Sequence, residues 1–305
     1  MATVLERLPE GARLAVIRLR SLGDCVLTTP ALGLLKQYRP DLRIAVVVEN
    51  RFRAVFEENP DIDYILPPSA REILGWRADL ALNLHGGSRS MALTAASAAR
   101  IRAGFGHHRY SVVYSHAIPI AQEILGEERT VHTAEHIASA MFWLGVPRTA
   151  VPRAKLCGTG WSEARNKPKL VLHPFASEPA KTWLADRFLA VAEELRGSNG
   201  LDPVFLAGPG DDVRPFAGFE IWNNAPLARV KSLMAGAHLF VGNDSGPAHM
   251  AAAFGVPVIA LFGASDPSIW GPWRTPARVL TSPDGIAGIA VDRVLEAAQS
   301  IEVSA

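Results

Sequence analysis

VGNDSGPAHMAAAFGVPVIALFG, residues 241–263, reads as strand, loop, helix and strand in close succession. An apolar run, Leu239–Val241, leads into Asn243-Asp244-Ser245-Gly246-Pro247. A helix of small residues, Pro247–Phe254, follows, and Gly255-Val256-Pro257 turns the chain into a second apolar run, Val258–Phe262. Short apolar strands on either side of a helix imply a parallel sheet covered on both faces. The loop before the helix is the informative part. The first N–H groups of a helix lack partners, and the helix dipole places partial positive charge there. Ser245 and Gly246 sit at that position with no bulk to exclude a phosphate. Pro247 has no N–H to lose in the first turn. Asp244 can accept hydrogen bonds from sugar hydroxyls. The same residues also suit an ordinary N-cap, and this stretch alone leaves both readings open.

The pattern repeats outward in two series. The second series contains a strand at Leu170–His173, a helix at Ala185–Arg196, and a strand at Pro203–Leu206 ending in Ala207-Gly208-Pro209-Gly210-Asp211-Asp212. A helix at Leu227–Ala235 and a terminal helix at Val291–Ile301 complete it. The first series opens with a strand at Leu14–Leu19 and a helix from Val26 to Tyr38. Strands at Ile44–Val48, Tyr64–Leu66 and Leu80–Leu84 follow, with helices at Phe52–Glu58, 89–99 and 133–144. Pro147–Pro168 is rich in Pro, Gly and polar residues and reads as the boundary. A chain of 305 residues exceeds what one core usually holds. The reading is therefore two Rossmann-like α/β domains, 1–155 and 156–305, with the last helix free to pack back on the first. Ligands in open α/β sheets bind outside the carboxyl ends of the strands, so the site is expected in a cleft between the domains.

Composition narrows the function. Half the residues are apolar and a fifth charged, as in ordinary globular proteins. A net charge of +1 argues against a dedicated nucleic-acid binder. Residues 1–155 hold 19 basic against 15 acidic side chains, and 71–110 contains six arginines against Glu72 and Asp79. That segment suits an anionic partner, or is a solvated face. Two cysteines, Cys25 and Cys157, build neither a disulfide framework nor a metal site, which is consistent with a reducing cytoplasm. The N-terminal segment has acids and a proline where a signal peptide needs an apolar core. No apolar run reaches the roughly 20 residues of a spanning helix.

Several other loops carry candidate chemistry. Ser21-Leu22-Gly23-Asp24 makes a strand–loop–helix turn in which an ionised Asp24 can take a proton from a hydroxyl; a cap is the simpler role. The dinucleotide fingerprint GxGxxG is absent after the first strand, which weakens a dehydrogenase reading. His173-Pro174-Phe175-Ala176-Ser177 ends a strand, and Lys181 beyond it can offset charge on a diphosphate. Asp211 can bind ribose hydroxyls or simply close a turn. His249 follows Pro247 in the helix and also reads as a packed histidine. His107 and His108 have no acidic or cysteine companions at metal spacing, so no metal is expected.

Taken together, these loops resemble glycosyltransferase family 9, the bacterial lipopolysaccharide heptosyltransferases. The stretches that carry the resemblance are IRLRSLGDCVLTTPALGLLK (17–36), LHPFASEPAKTWLADRF (172–188), FLAGPGD (205–211) and VGNDSGPAHMAAAFGVPVIALFGASDPSIWGPW (241–273). The resemblance implies a GT-B fold and metal-independent, inverting transfer without a cofactor. The donor would be a nucleotide-sugar, ADP-heptose by family, held by the second domain. It implies Asp24 as general base with Ser21 and Gly23 beside the reacting sugar, and Lys181 supporting the diphosphate. Ser177, Asp211, Asp244, Ser245, Gly246 and His249 complete the donor site. Arg51, His85, Arg89 and Arg102 are the acceptor-side candidates, for an anionic glycolipid reached at the cytoplasmic face of the inner membrane. Two departures stand out: Thr182-Trp183-Leu184 where the family often has Arg-Trp-Pro, and Ser245 where Thr is common. A related transferase with another sugar nucleotide or acceptor, or a non-catalytic nucleotide-sugar-binding protein, would use the same scaffold, and the residues do not separate adenine from uracil.

Overall fold

The structure is a computed structural model that describes residues 2–158 and 167–301. The chain divides into two compact units, Met1–Cys157 and Gly158–Ala305. Part of the expected boundary, 159–166 with Trp161, lies outside the described residues.

The first unit is built on six parallel strands: β1 (Arg13–Ile17), β2 (Arg43–Val47), β3 (Tyr64–Leu66), β4 (Leu80–Asn83), β5 (Ile101–Phe105) and β6 (His116–Ile118). Their spatial order is β3-β2-β1-β4-β5-β6. Its helices are α1 (Leu22–Tyr38), α2 (Ala70–Trp76), α3 (Ser88–Ala96), α4 (Ala121–Leu125) and α5 (Thr133–Leu144). Helix α1 packs on α5 and is apolar around most of its circumference, with Cys25 to Leu32 buried without a break, as a helix sandwiched between sheet and helix must be. The strands β1, β2 and β4 are buried along nearly their whole length, which is why they read as continuous apolar runs rather than alternating ones.

The second unit repeats the plan. Its strands are β7 (Lys169–His173), β8 (Asp202–Ala207), β9 (Glu220–Asn223), β10 (Ala237–Asn243), β11 (Val258–Leu261) and β12 (Ala277–Leu280). They lie in the order β12-β11-β10-β7-β8-β9, again all parallel. Helices α6 (Ala185–Ser198), α7 (Leu227–Ala235), α8 (Gly246–Phe254), α9 (Pro267–Trp270) and α10 (Val291–Ser300) connect or cover them. Leu170, Leu172, Phe188, Phe205, Val241 and Ile259 belong to one core cluster, and α10 packs on α6, β11 and β12 of its own unit.

Counted within each unit, both sheets have the strand order 3-2-1-4-5-6. Strand order reverses between β1 and β4 in the first unit and between β7 and β10 in the second. Ligands in doubly wound sheets bind outside the carboxyl ends of the strands at this switch point. No helix among the described residues is long and apolar enough to cross a membrane.

Candidate functional site

In the first unit, the chain leaves β1 through Arg18-Leu19-Arg20-Ser21 and enters α1, with a cis peptide between Arg20 and Ser21. Ser21 is the N-cap residue, and Asp24, in the first turn, folds back on it. Asp24 Oδ2 accepts from the Ser21 N–H at 3.2 Å and from its hydroxyl at 3.0 Å. Asp24 Oδ1 lies 3.4 Å from Arg18 Nη1. This carboxylate is therefore both a cap and one half of an ion pair, with a quarter of its side chain (25%) still open to solvent. Gly23 is buried in the same turn.

Arg18 was not singled out by the sequence reading. It is only 6% exposed, and its Nε has no hydrogen-bond partner in the protein. Burial lowers the pKa of the guanidinium, and the neighbouring Asp24 opposes that shift. Cys25, next along the helix, is pushed up to about 12 by burial, so it is a neutral packing thiol rather than a nucleophile.

The loop after β4 brings His85 to the same place. Asn83 Oδ1 accepts the backbone N–H groups of His85 (3.0 Å) and Gly86 (3.2 Å), which turns the chain sharply after the strand. Burial and the Arg18 charge lower the His85 pKa, and Asp24 opposes them. Two further imidazoles face Arg18. His108 is pushed down to about 4 by burial, then by His107 and Arg18; His136 falls to about 4 for the same reasons. His136 stacks on Phe105 at 4.1 Å between ring centres, and His108 Nδ1 meets the Tyr114 hydroxyl at 2.8 Å. The sequence reading weighed His108 only as a metal ligand and did not single out His136, on α5, or Tyr114; β5 was not recognised. With that strand in place, His107-His108 would have read as a strand-end loop.

The remaining acceptor-side candidates separate. Arg51 and Arg89 converge on one carboxylate, Glu49, at 2.9 and 3.3 Å, and the Glu49 amide donates to the Leu19 carbonyl beside the Asp24 loop. Arg102 is not brought to the site. It lies near the start of β5, and its guanidinium donates to the Val113 and Ala99 carbonyls, both at 2.9 Å.

In the second unit, the loop after β7 ends in a 3-10 turn, Pro179–Lys181. Trp183 anchors it: its indole donates to the Ile289 carbonyl at 3.0 Å and its backbone N–H to Asn243 Oδ1 at 3.1 Å. Gly263, beyond β11, leaves room for the Ala180 carbonyl, which a Cβ there would strike. Held in this way, Lys181 Nζ stands 4.0 Å from Asp244 Oδ2. Burial raises the Asp244 pKa, opposed by the Ser265 hydroxyl and the Lys181 ammonium.

Here the structure separates the two readings of the opening stretch. Ser245 occupies the N-cap position of α8 in extended conformation, yet makes no capping hydrogen bond. Its Oγ is buried and has no partner among the described residues; the same holds for Asn243 Nδ2 and His173 Nδ1. Burial pushes His173 down to about 4, so the ring is neutral at physiological pH. The Ala248 N–H donates to the Ser245 carbonyl at 3.2 Å and Pro247 has no N–H, which leaves the Gly246 amide as an outward donor of the first turn. His249 is buried one turn on. Buried polar groups without partners are uncommon in folded proteins and call for an explanation. Grouped around a helix N-terminus with a lysine, they are an arrangement whose chemistry suits a polyanion.

Asp211 behaves differently. Its Oδ2 accepts the Gly208 N–H at 2.7 Å, closing its own turn after β8. Ser177 is exposed in the loop after β7. Among the described residues no group of three His, Cys, Asp or Glu side chains is placed to hold a metal ion.

Similarity to known proteins extends along most of the chain. The family described as glycosyltransferase family 9 (heptosyltransferase) matches residues 69–287. Lipopolysaccharide heptosyltransferase 3 of Escherichia coli K12 is 28% identical over 297 residues, which cover 84% of this chain and 83% of that protein. Among solved structures, a family 9 glycosyl transferase from Veillonella parvula superposes with a TM-score of 0.84 at 25% identity, covering 95% of this chain and 96% of its own. The E. coli heptosyltransferase WaaC, solved with ADP, gives 0.77 at 20% identity, with 94% and 99% covered.

Proposed function

The chain belongs to glycosyltransferase family 9, has its GT-B fold and is a glycosyltransferase; from that premise we propose that it transfers a heptose from ADP-heptose to a sugar of a lipopolysaccharide core. The observation that carries the donor half is the pair of unpartnered buried groups, Ser245 Oγ and Asn243 Nδ2, at the start of α8 beside Lys181. A diphosphate would satisfy both and meet the Gly246 amide and the ammonium. WaaC, of the same fold, binds ADP, which favours adenine as the base. The acceptor is an anionic glycolipid of the cytoplasmic face of the inner membrane.

The chemistry is a single displacement with inversion. Asp24 takes the proton of the acceptor hydroxyl as its oxygen bonds to the anomeric carbon. The bond from that carbon to the β-phosphate oxygen breaks on the opposite face, and ADP leaves with one more negative charge. Lys181, the helix start and the Ser245 hydroxyl bind that charge, so the step needs no metal. Helix-terminal effects are worth about 0.3–2 kcal/mol each, which is why several act together.

Calorimetric titration with ADP and UDP, with magnesium or a chelator, tests the donor half. Tighter binding of ADP, indifferent to magnesium, is expected; a preference for UDP or a strict magnesium requirement overturns it. Asp24→Asn tests the base. Turnover should fall by about 10²–10⁴ with ADP affinity unchanged, and full turnover in a folded variant rules Asp24 out. Asn is the better replacement, because Ala would also leave Arg18 buried without any side-chain oxygen to meet.

A further inference from the structure

The loop joining β5 to β6, residues 106–115, is pinned at both ends and bare in the middle. Tyr114 is buried, with its ring where a Cβ on Gly104 would stand. His108 packs against Gly86 in the same manner, 2.5 Å from where a Cβ would be, and bonds the Tyr114 hydroxyl. At the far end the Ser115 hydroxyl accepts the Arg102 N–H at 2.9 Å. Between these anchors a 3-10 turn, Ser111–Val113, presents Val112 with 91% of its surface open, the most exposed large hydrophobic side chain among the described residues. Tyr110 is 41% exposed, and the Arg109 guanidinium lies 5.3 Å from its ring centre. Arg109 makes no ion pair among the described residues.

Isolated exposed apolar residues are ordinary. A valine displayed on a pinned turn, next to a tyrosine and an unpaired arginine, is a more specific combination. It matches the bilayer interface, where an apolar side chain enters the acyl boundary, tyrosine sits at headgroup depth and arginine reaches phosphate. The charge pattern agrees: from Leu80 to Gln122 there is no acidic residue, and of the four arginines Arg89 is held by Glu49 and Arg102 by backbone carbonyls, so Arg109 is the cation this turn offers.

We propose that residues 109–112 dock the protein on an anionic lipid surface, with Val112 and Tyr110 in the interface and Arg109 on the headgroups. The purpose of this docking rests on the transferase reading: the root of the same loop, His108, lies near enough to feel the Arg18 charge, so a lipid-borne acceptor would be met near the Arg18–Asp24 pair.

Co-sedimentation with vesicles of phosphatidylethanolamine and phosphatidylglycerol, against pure phosphatidylcholine vesicles, tests the docking. The wild-type chain should pellet with the anionic vesicles only, and less as salt rises. Val112→Asp should weaken partition about tenfold or more, Arg109→Gln about fivefold, and Val112→Trp should strengthen it, all with unchanged melting temperature and ADP affinity. Equal pelleting with both lipids, pelleting with neither, or Val112→Asp pelleting like wild type overturns the proposal. So does a change of oligomeric state in Val112→Asp, which would assign the patch to a second copy. Transfer to a lipid-free core oligosaccharide separates the two ideas. That rate should be the same in Val112→Asp and wild type; if wild type transfers nothing while vesicle binding follows Val112, the transferase reading fails and the docking stands.

Discussion

Ser245 and Ser21 occupy equivalent positions, each the N-cap residue of the helix that follows a central strand, and the two turns are closed differently. Asp24 caps its helix; Ser245 does not. Replacing a true N-cap by Ala costs about 0.5–2 kcal/mol. Ser245→Ala should instead leave stability within about 0.5 kcal/mol, because the hydroxyl has no bond to lose in the free protein. ADP affinity should fall by roughly 1 kcal/mol, the net worth of one hydrogen bond. Denaturant melts and titration calorimetry on the same variant read both. Side-chain chemistry of this kind was half legible. Residue types at strand ends marked Asp24, Lys181 and Asp244, because loops after parallel strands are where ligands bind. Arg18 was hidden, since a buried arginine inside an apolar run looks like the edge of a strand until its guanidinium is seen against Asp24.

At the scale of elements, the central strands, the edge strand β3 and the helices beside them were readable; the edges β6, β9 and β12, and β5 next to β6, were not. Ile44–Val48, Tyr64–Leu66 and 133–144 fall within a residue of β2, β3 and α5. β5, β6, β9 and β12 were missed. β5 contains Arg102 and Gly104, β9 is only half-buried or exposed, and β12 has two exposed residues of four. An edge strand needs few apolar side chains, so it leaves little pattern. One contact between elements was also beyond reach: the Ala180 carbonyl against Gly263, which sets the Pro179–Lys181 turn. Gly263→Ala should push that turn away, at a cost of about 1–3 kcal/mol for overpacking. It should also weaken ADP binding although Gly263 carries no side chain of its own. Affinity equal to wild type would show that Lys181 is positioned by other means.

For the whole molecule, acid should act on both halves, and nucleotide on the second. His108 and His136, both in the first unit, hold folded-state values of about 4, below the ordinary 6.5. The folded chain thus binds fewer protons than the unfolded chain between those values. Their contribution is full above about pH 6.5 and is lost as pH falls toward 4. Solvent screening at these partly open rings reduces it to about 1 kcal/mol each. Thermal melts across this range should show the loss, and a His108→Gln, His136→Gln double variant should reduce it to the share that His173 contributes. The second unit, besides the acid response of His173, answers to mass action. Its helix start holds polar groups without partners among the described residues, so on the proposed function a bound nucleotide would complete the hydrogen bonding of that unit as an internal residue does. At a hundredfold excess over its dissociation constant, such a ligand adds about 2.7 kcal/mol of stability. In a cell whose nucleotide pool rises and falls, the lifetime of this protein would then follow the supply of its own donor.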